Sequence, residues 1–248
     1  MERILSIESA KYQSFLRTIS VLRDICNDID LRKSMIRQRT NDNSSIFEID
    51  VSSIFGQQDV NLPLVSIKQK IELLKVFQGD NPVDFILKEH NFQVKDMFSL
   101  LSFSHADLDF IDNKFIAKEE LNNLFSLSEE NLVLSCTISQ TIANRMKIIS
   151  SAFNVNTFTI SFSGEIAKIT SMTQAKDQSA IFIDNIQCNQ ILGVGISSLI
   201  VTPFVIDHDN ELIFEMYALD RGLFINKFST TIDTINIVIY SRSAFNSD

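Results

Sequence analysis

A chain of 248 residues with 45% hydrophobic and 21% charged positions can bury one large core or two of about 125 residues, which excludes a disordered or fibrous chain. The net charge of −9 excludes a uniformly basic nucleic-acid binder, because phosphate contact is driven by Lys and Arg releasing counterions. A role on DNA therefore requires the basic residues to be gathered on one surface, with the acids elsewhere.

Only 6 Gly and 3 Pro are present, while Ile, Phe, Ser and Asn are abundant, a composition that suits strands joined by Asn/Asp turns. Cys26, Cys136 and Cys188 are far apart and lack CxxC spacing, which supports neither a disulfide framework nor a zinc site and suits a reducing compartment. The first ten residues carry Glu2 and Glu8 rather than a basic stretch, and no 18-residue apolar run follows, so a soluble, unexported, cytoplasmic protein is expected.

Tyr12, Phe15, Leu16, Ile19 and Leu22 fall at offsets 0, 3, 4, 7 and 10, which predicts a helix over 9–23 with one buried stripe; Arg17 lies opposite that stripe and Lys11 on its flank. Segment 25–39 is broken by Asn and Asp, and 45–51 carries strand formers ahead of Gly56. A second helix is predicted over 66–77, with Ile67, Ile71, Leu74 and Phe77 inward and Lys68, Glu72 and Lys75 outward. It stops at Gln78-Gly79-Asp80-Asn81-Pro82, after which 83–88 and 92–97 read as a strand pair turning at His90-Asn91. Segment 104–130, rich in Asp, Glu and Asn, reads as an irregular connection between an N-terminal domain, 1–105, and a C-terminal domain, 131–248.

The order of elements then restarts. A strand over 132–138 precedes a helix over 139–153, with Ile138, Ile142, Met146, Ile149 and Phe153 inward and Asn144, Lys147 and Ser151 outward. Segments 157–162 and 166–172 form a predicted hairpin, 180–186 another strand, and 195–203 has room only for a short helix. Segments 211–219 and 223–227 mirror the pair at 83–97, and 234–240 is a final strand. Helix, turn, strand, turn, strand recurs in both halves with little identity, which predicts an internal duplication.

Catalytic signatures find no foothold: GxSxG, HExxH, a Walker loop and a complete GxGxxG are all missing, and Gly193-Val194-Gly195-Ile196-Ser197 lacks the lysine of a phosphate loop. His90, His105 and His208 are isolated, and a turn explains Asp207-His208-Asp209 better than a site does. No enzyme activity, metal or cofactor is expected.

Taken together, LVLSCTISQTIANRMKIISSAFNVNTFTISFSGEIAKITSM in the second half and LPLVSIKQKIELLKVFQGDNPVDFIL in the first resemble the DNA sliding clamps, the family of proliferating cell nuclear antigen and the T-even phage clamp. The resemblance implies an α+β duplicated clamp fold, with helices on one face of antiparallel sheets, assembled as a closed ring of three subunits whose helices line the hole. It implies a processivity factor that encircles duplex DNA without sequence preference and receives a polymerase and a clamp loader. Lys11, Arg17, Lys68, Lys75 and Lys147 are then the DNA-binding residues, because a basic lining with an acidic exterior reconciles DNA contact with the negative total. The fourth helix offers no Lys or Arg, and Glu72 interrupts the second. Partner peptides would use the connection and the C-terminal tail, where Phe110, Ile111, Phe115 and Phe245 are the candidate contacts.

Two other classes stay open: a monomeric viral processivity factor binding DNA on an open basic face, and a structural virion protein with no DNA contact. The first demands more basic residues on one face, the second no enrichment of Lys and Arg on the helices. The low Gly and high Ile, Asn, Phe and Ser content suggests an AT-rich viral or phage genome.

Overall fold

The computed structural model describes residues 2–56, 58, 60–104, 115–125, 127–163, 165–172, 176–183, 187–188, 195–200, 202–205, 210–219 and 223–244. The chain divides into two units, Met1–Ile116 with Thr231–Ile237, and Ala117–Thr230 with Val238–Asp248.

The first unit contains β1 (Arg3–Ile7), α1 (Ser9–Leu22), β2 (Ile29–Arg32), β3 (Met35–Arg39), β4 (Ser45–Asp50), α2 (Ser52–Phe55), β5 (Leu62–Leu64), α3 (Ile67–Leu74), β6 (Val83–Leu87), β7 (Asn91–Lys95) and β8 (Leu100–Ser104). The strands hydrogen-bond in the orders β1-β6-β7-β8 and β5-β2-β3-β4, with every pair antiparallel. Every residue of the stripe predicted for α1 is buried, as are Ile67, Ile71, Leu74 and Phe77 of α3 and the 3-10 turn that extends it. Tyr12, Phe15, Phe55, Phe77 and Phe85 meet largely edge to face at centroid separations of 5.3 to 6.4 Å. That arrangement matches the ring quadrupoles and fixes both helices on β6.

The second unit contains α4 (Lys118–Leu124), β9 (Leu132–Ile138), α5 (Gln140–Phe153), β10 (Thr157–Ser163), β11 (Ile166–Met172), β12 (Gln178–Ile183), β13 (Gln187–Cys188), β14 (Gly195–Ile200), α6 (Thr202–Val205), β15 (Leu212–Ala218), β16 (Leu223–Ile232) and β17 (Ile235–Ala244), except that Thr231–Ile237, the facing ends of β16 and β17, belongs to the first. Here the orders are β14-β10-β11-β12 and β13-β9-β15-β16-β17. Set beside the first unit, β9, β15, β16 and β17 stand where β1, β6, β7 and β8 stand, and β14, β10, β11 and β12 where β5, β2, β3 and β4 stand. The duplication expected from spacing is therefore present in the strand order, with α1 and α5 in equivalent places. The hydroxyl of Ser139 caps α5 by accepting from the Ile142 amide, and Asn154 closes it in the left-handed region at φ 51°.

Three expectations need correction. Segment 195–203 is mostly strand: β14 pairs with β10, Leu199 opposite Phe158, and only Thr202–Val205 is helical. Ser and Ile at 196–198 favour a ladder over a helix, and Pro203 sits in the first helical turn, where its missing N–H costs nothing. Segment 104–130 is not wholly irregular, since α4 forms within it, Leu121 buried and Glu119 and Glu120 at its positive N-terminal end. On α5 the buried face is Ala143, Met146 and Ser150, while Ile142, Ile149 and Phe153 lie half-exposed on its flank. Met146 alone of that predicted stripe is buried within the helix.

Candidate nucleic-acid interface

Packing decides which side of each helix is left outside. In the first unit the Tyr12 hydroxyl donates to the Leu74 carbonyl at 2.8 Å, pinning α1 against the end of α3. Burial raises the Tyr12 phenol above its ordinary value, with the nearby Asp96 carboxylate adding to the shift. With the apolar stripes thus committed, Lys11 and Arg17 of α1 and Lys68 of α3 are exposed, Lys75 half-buried just after α3, and Lys147 half-buried on α5. Arg145 is a further exposed cation on α5 that periodicity alone did not single out.

Most of these cations face an acid. Arg17 Nη1 lies 3.4 Å from Asp233, Lys68 Nζ 3.6 Å from Asp24, and Lys75 Nζ 2.6 Å from Glu72. Lys11 has no ion-pair partner among the described residues. Exposed pairs of this kind each contribute at most about 1 kcal/mol, so the cations remain available to a competing anion. Lys70 differs: it is half-buried, donates to the Val65 carbonyl at 2.6 Å, and burial lowers its amine against the opposing pull of Asp28.

Of the proposed partner contacts, Phe110, Ile111 and Phe245 lie outside the described residues, as do His105 and His208. Phe115 is half-buried, its ring 5.4 Å from the Arg32 guanidinium and 5.7 Å from that of Arg37. Its amide donates to Asp30, which also takes a bidentate pair from Arg32 at 3.0 and 2.7 Å. Arg37 is buried, ion-paired to Glu48, and its guanidinium donates to the Ile116 carbonyl at 3.4 Å. Here the basic segment 32–39, unplaced by the sequence, turns out to fasten residues 115–116 to β2 and β3.

In the second unit Phe125 stacks on Tyr240 at 5.2 Å, and Arg242 lies over the Phe125 ring while donating to the Leu124 carbonyl at 3.1 Å. Beside them a cleft of about 290 Å³ is lined by Leu121, Asn122, Phe125, Leu127 and Tyr240. Leu121 and Phe125 form an i, i+4 pair, the one sequence signal that marks this site.

Sheet ends supply the remaining surfaces. β8 terminates one sheet and β12 another. Next to β8, Met97, Phe98 and Leu100 are 73%, 78% and 58% exposed. Beside β12, an open groove of about 490 Å³ runs along α5, with Ile148 and Phe182 at its apolar walls and Arg145 at its rim. Exposed apolar side chains beside an unpaired edge are a liability unless another chain covers them.

Among the described residues no cluster of three or more His, Cys, Asp and Glu could hold a metal, and no helix is long and apolar enough to cross a membrane.

No family model matches the chain, and no curated protein matches it in sequence. Solved structures do match along its length. Proliferating cellular nuclear antigen from Entamoeba histolytica superposes with a TM-score of 0.70 at 11% identity, covering 98% of both chains. A. fulgidus PCNA, solved with the C-terminal region of FEN-1 bound, gives 0.64 at 11% identity over 100% of both. The PCNA2–PCNA3 complex of Sulfolobus tokodaii gives 0.68 at 11% identity over 97% of this chain and 99% of that one. With the duplicated strand order described above, these likenesses establish that the chain has the sliding-clamp fold.

Proposed function

We propose that the chain is a DNA sliding clamp: a processivity factor whose copies close head to tail into a homotrimeric ring around duplex DNA and tether a polymerase and other replication proteins. The observation that carries the reading is a clamp fold over the whole chain whose two units each end in an edge strand, β8 in one and β12 in the other, flanked by exposed apolar residues. In a ring, β8 of one copy extends the sheet at β12 of the next, and Met97, Phe98 and Leu100 find cover beside Ile148 and Phe182. Such contacts are heterologous and close by rotation.

Topological linkage prevents escape, so phosphate contacts need only be weak and indifferent to sequence. Lys11, Arg17, Lys68, Lys75 and Lys147 supply them. The pairing of Arg17, Lys68 and Lys75 with acids favours this reading over a monomer gripping DNA on an open face, which would need stronger cationic surface. The role is that of a scaffold, with no covalent step. A loader opens the ring, and partner peptides dock near the connection, with Phe110, Ile111, Phe115 and Phe245 and the cleft beside Phe125 as contacts. The peptide-bound A. fulgidus structure supports a surface of this type. The composition points to a viral or phage source, with action in the host cytoplasm.

Assembly tests the ring. Sedimentation should give three times the chain mass for the wild type and the chain mass for Leu100→Asp or Phe182→Asp alone. Mixing the two variants should yield dimers and nothing larger, because each retains one intact edge. Larger assemblies in the mixture, or a wild type that stays monomeric at tens of micromolar even when supplied with nicked circular DNA and a loader, would contradict closure.

A further inference from the structure

Arg17 leaves α1 at an open cleft of about 620 Å³ whose walls include Gln13, Ser14, Ser20, Gln78 and Asp233 beside the apolar Ala10 and Leu16. The Ser14 and Ser20 hydroxyls donate back to the Ala10 and Leu16 carbonyls, so the donors left to face the cleft are the Arg17 guanidinium and the two glutamine amides. That donor set suits one phosphodiester, which spreads a single negative charge over two non-bridging oxygens. The anion now present is Asp233, 216 positions away in sequence, at the tip between β16 and β17. It lies 3.4 Å from Arg17 Nη1, and both side chains are substantially exposed, at 46% and 38%. Asp233 holds a left-handed backbone, φ 51°, a conformation that Asn adopts as readily, so the turn does not demand the charge. The same arrangement recurs at α3, where Asp24, just beyond α1, covers Lys68 at 3.6 Å.

We propose that the cleft at Arg17 is a phosphodiester site held in check by Asp233, an internal counter-anion that a DNA phosphate must displace. The deduction rests on the clamp reading in taking duplex DNA as the ligand. Displacement makes each contact an exchange of one anion for another, so a phosphate is held briefly and released as the duplex moves. A net charge of −9 is then part of the device, because it keeps every contact shallow.

A double-mutant cycle on a short linear duplex at low salt reads the coupling. Asp233→Asn should tighten binding by about two- to fivefold, the worth of an exposed ion pair that no longer has to be broken. Arg17→Gln should weaken binding, and Asp233→Asn in the Arg17→Gln background should gain nothing. An equal gain in both backgrounds would show Asp233 acting through the general field and overturn the proposal, as would no gain in either. Loss of the wild type from a circular duplex on linearisation is measured in parallel. If that fails while the cycle holds, the ring is wrong and the phosphate site stands; the reverse sinks this site alone.

Discussion

Tyr12 shows how one side chain serves both core and scaffold. Its ring packs against Phe77 and Phe85 while its hydroxyl donates to the Leu74 carbonyl, so Tyr12→Phe removes a buried hydrogen bond. The expected loss is about 1 kcal/mol, or about 2–4 °C in thermal midpoint for a chain of this size. Burial also holds the Tyr12 and Tyr217 phenols and the Cys26 thiol above their ordinary values of 10.0 and 9.0. Above those values the unfolded chain releases protons that the fold retains, so stability falls as pH rises. Lys70, lowered by burial, acts in the opposite sense just below its ordinary 10.5, since there the unfolded chain keeps a proton the fold has lost. Three groups outweigh one, and urea midpoints should drop from about pH 9 upward, less steeply in Tyr12→Phe. Arg37 is the second residue on which much depends. Arg37→Met leaves Glu48 half-buried without its partner and strips one cation from Phe115, and should cost about 1–3 kcal/mol by thermal denaturation.

At the scale of elements, α4 is the least self-sufficient. Seven residues make too short a helix to persist alone in water, so it depends on Leu121 and Phe125 packing beneath Arg242 and against Tyr240. Phe125→Ala should destabilise by about 3 kcal/mol and raise amide exchange first at 118–124. If exchange there matched the rest of the chain, the stacking would not be what holds α4. This helix also marks where the sequence stopped being legible. Periodicity located α1 to within a residue, and α3 together with the 3-10 turn that extends it, because each carries one narrow stripe that is wholly buried. α5 has more apolar positions than its own sheet covers, so the widest stripe, through Ile142, Ile149 and Phe153, was not the buried one. α4 offers only one apolar pair amid acids, and β14, Gly195-Ile196-Ser197-Ser198-Leu199-Ile200, lacks the alternation of a half-buried strand and is recognisable only once paired with β10. Of the candidate site, the helix cations were legible from their polar faces. Asp233 and Asp24 were not, because only tertiary structure brings a hairpin tip and a helix end beside them. The same holds for Arg32 and Arg37, which a linear reading found basic but could not place against Phe115.

On the proposed reading an acidic chain surrounds a polyanion, which weak contacts inside a closed ring would allow. On a closed or nicked circle, retention should change little with added salt, whereas binding to short linear duplex should fall steeply with it, because only the second depends on phosphate contacts. The decisive measurement is retention on a nicked circular duplex, loaded with a clamp loader and then cut once. Prompt loss of the protein on cutting, with retention when the new ends are blocked, is the predicted result; protein that stays on linear DNA with open ends would contradict a sliding ring.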